Sequence, residues 1–127
     1  LAASRTSFHV LDALQRRRSS KNSIHVLIIG AGDNVEMALR WLQMNSRMRF
    51  RAIGIVDNGP FKQGRQIHGV QVIGDLSKME QFIRLHAVEG VILSDLEISD
   101  ETLAQVKKIC QEHACWLRRL RLELEEI

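Results

Sequence analysis

Between Ile24 and Val35 the chain reads IHVLIIGAGDNV, an apolar run that meets a glycine pair and continues into helical periodicity. Val26-Leu27-Ile28-Ile29 has no polar interruption, which suits a strand buried on both faces of a parallel sheet. Gly30-Ala31-Gly32 follows at once. A strand, a glycine turn and a helix in that order place a helix N-terminus against an anionic ligand, as dinucleotide-binding folds do. In this reading Gly30 permits the tight turn, and Gly32 lets backbone N–H groups approach a phosphate with no Cβ in the way. Val35 stands at the third fingerprint position, where Gly or Ala lets the helix pack closely on the strand. The tightness of the turn, and with it room for a pyrophosphate, is left open.

The rest of the chain alternates in the same style. Val35, Ala38, Leu39 and Leu42 give the stripe of a helix lying on a sheet, and Met37, Trp41 and Met44 form a second stripe on it. Phe50 to Val56 is a second strand, closed by Asp57, where such folds hydrogen-bond the adenosine ribose. Asp57-Asn58-Gly59-Pro60 is equally turn chemistry. Phe61 to Gly69 reads as a loop, and Gly69 to Gly74 as a third strand. Ser77 and Glu80 match a capping box for a helix with Met79, Phe82 and Ile83 inward. Gly90 to Leu93 is a fourth strand, Ser99 caps a helix lined by Leu103, Val106 and Cys110, and Cys115-Trp116-Leu117 opens a fifth strand. Arg118 to Ile127 reads as charged and frayed. The expected architecture is α/β: a doubly wound parallel sheet of about five strands, order 3-2-1-4-5, in three α/β/α layers. Ligand would lie over Gly30–Asn34, with Asp57, its neighbour Asn58, and Ser94 at adjoining strand ends.

Charge divides the chain. Residues 1–22 carry five basic side chains against Asp12, a net +4, which leaves −1 for residues 23–127 out of the total of +3. That favours two parts, a basic leader over 1–22 and a single domain over 23–127. The leader holds a short helix from Ser4 to Gln15, with Phe8, Leu11 and Leu14 on one face, and then an Arg16-Arg17-Arg18 tether that either is solvated or meets anionic lipid. With a near-neutral domain and no interleaved aromatics in the leader, no nucleic-acid partner is expected. The chain does not begin with Met, which marks it as a trimmed fragment. Cys110 and Cys115 read as reduced thiols of a cytoplasmic protein, and the five scattered histidines form no metal-ligand spacing.

The strings VLIIGAGDNVEMALRWL and RAIGIVDNGPFKQGRQIHGVQVIGDLSKM give a further clue. Residues 23–120 resemble the Rossmann-like, CoA-binding-like domain of membrane-bound polysaccharide-biosynthesis proteins. The most specific part is the run from Val56 to Gly74, which a generic dinucleotide fold does not need. The resemblance implies a domain on the cytoplasmic face of the inner membrane, with transmembrane and catalytic domains elsewhere in the parent. That parent would be a capsule-type nucleotide-sugar 4,6-dehydratase or epimerase, or a polyprenyl-phosphate sugar-1-phosphate transferase. It implies NAD or a nucleotide-sugar as ligand, with Gly30, Ala31, Gly32, Asp33, Asn34 and Asp57 as phosphate and ribose contacts. Arg65 and His68 would add contacts from a loop folded over the site.

Three functions compete. A non-catalytic nucleotide-binding module would regulate or position a catalytic partner. An oxidoreductase or epimerase would act by itself, but the chain has no tyrosine for the Tyr-x-x-x-Lys pair of short-chain dehydrogenases. An oligomerisation module would use Met37, Trp41 and Met44 to bind a second copy.

Overall fold

The computed structural model describes residues 23–30, 32–57, 64–95 and 97–127. The leader over 1–22, and the helix expected within it, lie outside the described residues. Six strands form one sheet: β1 (Ile24–Ile29), β2 (Phe50–Val56), β3 (Gln66–Ile67), β4 (Val70–Gly74), β5 (Gly90–Leu93) and β6 (Trp116–Arg119). Their order is β3-β4-β2-β1-β5-β6, parallel throughout except for the antiparallel β3–β4 pair. The expected 3-2-1-4-5 order is therefore present, with one more strand at the edge. Among the described residues three α-helices flank the sheet: α1 (Asp33–Met44), α2 (Met79–His86) and α3 (Asp100–Glu112).

The apolar runs explain the layering. Val26 and Ile28 of β1 join one core cluster with Val35, Ala38, Leu39 and Leu42 of α1, while Leu27 and Ile29 join the other with α2 and α3. Side chains alternate across a strand, so a run buried on both sides must be apolar at every position. β2 departs from strict alternation. Its pairing slips between Ala52 and Gly54, so Ile53 and Ile55 fall on opposite faces although they are two residues apart. A bulge of one residue does this, because a single extra residue reverses the face that follows.

Among the described residues, one face carries α2 and α3 and the other carries α1. The connection from β2 to β4 passes through β3, among the described residues, where a doubly wound fold commonly has a helix. Aromatic side chains add to the cover of the α1 face over β1 and β5. The rings of Phe50 and Trp116 stand 5.3 Å apart although β1 and β5 separate their strands. The indole crosses the backbone of β5 at Gly90, where a Cβ would fall 2.0 Å from the ring. Arg118 caps the indole with its guanidinium 4.4 Å from the ring centroid, a cation–π contact.

Several expectations need correction. The Phe61–Gly69 loop contains β3, paired through Gln66 and Ile67 to β4. His68 (φ 49) and Gly69 (φ 80) form the two-residue turn, both left-handed as a type I′ hairpin requires. Gly64 (φ 94) donates to Val72 O and Arg65 O accepts from Val72 N, the pattern of a glycine bulge. Within the singular run from Val56 to Gly74, residues 64–74 thus form an edge hairpin. Ser77 does not cap α2: Asp75 accepts from Ser77 N at 3.0 Å and caps a short 3₁₀ turn before it. The hydroxyl and amide of Ser77 hold the Asp75 carboxyl below its usual range. Asp75 is the better acceptor for that turn because its side chain precedes the free N–H groups. Arg118 and Arg119 belong to β6 rather than to a frayed tail, and only beyond Arg119 is regular structure absent. The second stripe on α1 also divides, with Met37 and Met44 exposed and Trp41 half-buried against the core. Ser99 caps α3 as expected, accepting from Thr102 N at 3.2 Å.

Candidate functional site at the carboxyl edge

β1 ends where the glycine turn begins, and its neighbours end beside it. Ile29 is in register with Val56 on one side and Leu93 on the other, so Gly30 lies between Asp57 and Ser94. Gly30 N donates to Val56 O at 3.1 Å. Ser94 closes the other side with two bonds to Ile29 O, from its amide at 2.8 Å and its hydroxyl at 2.9 Å. A Cβ at Gly30 would fall 2.1 Å from Ser94 Oγ and 3.0 Å from Val35 Cγ2. Gly30 is therefore required by close approach.

Gly32 does the other task. It holds φ 58 and ψ −132 at the N-cap of α1, a conformation nearly confined to glycine, and nothing would touch a Cβ there. The two glycines thus exchange the roles the sequence suggested: the second makes the turn and the first makes the contact. Val35 explains why. It is fully buried and packs on Gly30, so the close helix–strand contact is present with the small residue on the strand instead of the helix.

Among the described residues no side chain caps α1, whose N-terminus lies just past the carboxyl end of β1. Asp33 and Glu36 occupy its first turn and Asn34 is exposed there. The macrodipole favours both acids, but they also place negative charge where a phosphate would come. Asp57 is 3% exposed, anchored by its amide to Gly74 O at 3.0 Å. Gly30, Gly32, Asp33, Asn34, Asp57 and Ser94 therefore gather at one edge. Ala31 and Asn58 lie outside the described residues. Arg65 is exposed on the hairpin beside Val72, near that edge. His68 also reaches the start of α1: from the turn before β4 its Nε2 stands 3.7 Å from Oε1 of Glu36, in the first turn of that helix. The hairpin was not legible as such because β3 is too short to display alternation.

The sheet order, the glycine turn and the open helix end define a Rossmann-like domain of the nucleotide-binding class. The chain belongs to the CoA-binding domain family, whose model matches residues 1–118. Rex 1, a redox-sensing transcriptional repressor of Thermotoga maritima, is 31% identical over 101 residues, covering 79% of this chain and 48% of the relative. The chain thus spans about half the length of the curated relatives it matches. Among solved structures, a UDP-D-quinovosamine 4-dehydrogenase of Vibrio fischeri shares the fold at TM-score 0.66 and 18% identity, over 78% of this chain and 79% of that one. RSP, a Rex-family repressor, does so at TM-score 0.64 and 20% identity, over 94% and 56%. RSP has also been solved with NADH, and with NAD+ and operator DNA.

These relatives overturn the exclusion of nucleic acid, since they are repressors and one was solved on its operator. Charge was weighed over 127 residues, about half the length of those relatives. As for a membrane, no helix among the described residues is long and apolar enough to cross one.

Proposed function

We propose that this chain binds a dinucleotide of the NAD type at the carboxyl edge and is the ligand-reading, non-catalytic module of a larger protein. One observation carries the reading: an uncapped helix N-terminus behind a glycine turn, set between Asp57 and Ser94. In this reading the backbone N–H groups of α1 receive the pyrophosphate, and Asp57 accepts from the ribose hydroxyls. Gly30 and Ser94 shape the floor. Asp33 and Asn34 border the phosphates and Arg65 stands at the hairpin edge, while Ala31 and Asn58, neighbours in sequence of Gly30 and Asp57, are further candidates. The relatives' redox-sensing role and the NADH complex of RSP favour NAD over a nucleotide-sugar. The module would report ligand state to domains outside the 127 residues. The polysaccharide-biosynthesis setting is a second reading of the parent, favoured by the run from Val56 to Gly74.

Calorimetric titration with NADH, NAD+, UDP-N-acetylglucosamine and coenzyme A tests this. NAD(H) is expected to bind at about micromolar Kd, equivalent to roughly 8 kcal/mol, and to lose that binding in Asp57→Ala and in Gly32→Val. Binding of the nucleotide-sugar alone would favour the second parent. Binding indifferent to both substitutions, in variants whose circular dichroism is unchanged, would remove the site from this edge.

A further inference from the structure

On the far side of α3 the chain gathers three side chains that the dinucleotide reading does not use. α3 ends in a Schellman motif: Cys115 N donates to Cys110 O at 2.9 Å, Ala114 N to Gln111 O at 3.4 Å, and Ala114 is left-handed at φ 54. That motif fixes His113 at the C-cap, one residue after Glu112. Glu80 stands in the first turn of α2. Met79 and Ile83 of α2 share one core cluster with Val106 and Cys110 of α3, so the core sets the spacing between the two helices. His113 Nε2 lies 3.1 Å from Glu80 Oε1, and ligand atoms of Glu80, Glu112 and His113 all lie within 4.8 Å of one another.

We infer that Glu80, Glu112 and His113 hold a divalent transition-metal ion of the zinc class, clipping the start of α2 to the end of α3. With metal–ligand bonds of about 2.0–2.1 Å, tetrahedral geometry separates neighbouring ligand atoms by roughly 3.3 Å, close to the His113–Glu80 distance. One imidazole with two carboxylates suits zinc, with water in the open position. The local charge asks for a cation. Two carboxylates approach each other beside the C-terminus of α3, which already carries the negative end of its dipole. An ordinary His–Glu pair accounts for Glu80 but leaves Glu112 beside a like charge. Lys108, one turn earlier on α3, lines the same depression of about 420 Å³ and is the competing partner for Glu112. The clip would also close a chain segment of 33 residues that includes β5.

Titration of the chelator-treated 127-residue chain with Co2+, followed by visible absorption and by Zn2+ competition, tests the assignment. One saturable site displaced by Zn2+ is expected. Affinity should fall more than roughly tenfold in each of Glu80→Gln, Glu112→Gln and His113→Gln, since even outer partners of ligands are worth that much. Glu123→Gln, on the exposed tail, should bind as the unaltered chain does. A rise in Tm with Zn2+ that is absent from the three variants would agree. No saturable binding, or binding that survives any one of the three substitutions, would overturn the three-ligand site. The glutamine variants keep size and hydrogen bonding, so their folding can be verified separately.

Discussion

Gly30 and Ser94 are coupled by contact, and the coupling can be measured. Gly30→Ala would press a methyl group onto Ser94 Oγ, at 2.1 Å, and towards Val35 Cγ2. Overpacking of this kind destabilises by about 1–3 kcal/mol. Urea unfolding should show that loss, and a smaller one when Gly30→Ala is made in a Ser94→Ala background, where the hydroxyl is gone. Equal losses in both backgrounds would place the strain at Val35 instead. The GxG pattern was readable in the sequence, but the division of labour within it was not. Spacing identifies which residues are glycine; only the neighbours reveal whether the missing Cβ serves a dihedral angle or a contact.

At the level of elements, the helix ends offer the clearest experiment. Ala87 ends α2 at φ 52 and Ala114 follows α3 at φ 54, both exposed and both where glycine is the usual residue. A left-handed Cβ costs roughly 1–2 kcal/mol. Ala114→Gly is expected to raise stability by about 1 kcal/mol in chemical denaturation, because glycine's larger unfolded-state entropy offsets part of the relief. An unchanged or lower stability would show that the Schellman turn is not strained. The helices and central strands were legible, since continuous burial writes runs such as VLII and VIL and helix burial writes the stripe of Val35, Ala38, Leu39 and Leu42. β3 was not legible, nor was the substitution of Asp75 for Ser77 as a cap. A two-residue strand has no period, and a 3₁₀ turn shifts the first free N–H groups upstream of the capping-box position.

Among the described residues the cover of the sheet is asymmetric. One face carries two helices, and the other carries α1 and the Phe50–Trp116–Arg118 group, which reaches across two strands. The carboxyl edge was foreseeable because the order of parallel strands dictates where a switch point falls. The aromatic cover on the α1 face was not, since it depends on rings reaching across strands that are distant in sequence. Glu80 and His113 escaped for the same reason: 33 residues separate them, and no spacing rule spans that gap.

That cover has an optical consequence. Trp116 opens β6 and Trp41 lies in the last turns of α1, so both indoles sit towards the amino end of the sheet, opposite the glycine turn. They are the chain's two tryptophans, and no tyrosine adds to their emission. Intrinsic fluorescence should therefore report global unfolding, through a red shift as the Trp116 ring leaves Gly90 and Arg118. Saturation with NAD+ should leave the emission maximum where it was. A shift on adding NAD+ would mean that the two ends of the sheet communicate, and that the indole over β5 is a sensor as well as a cover.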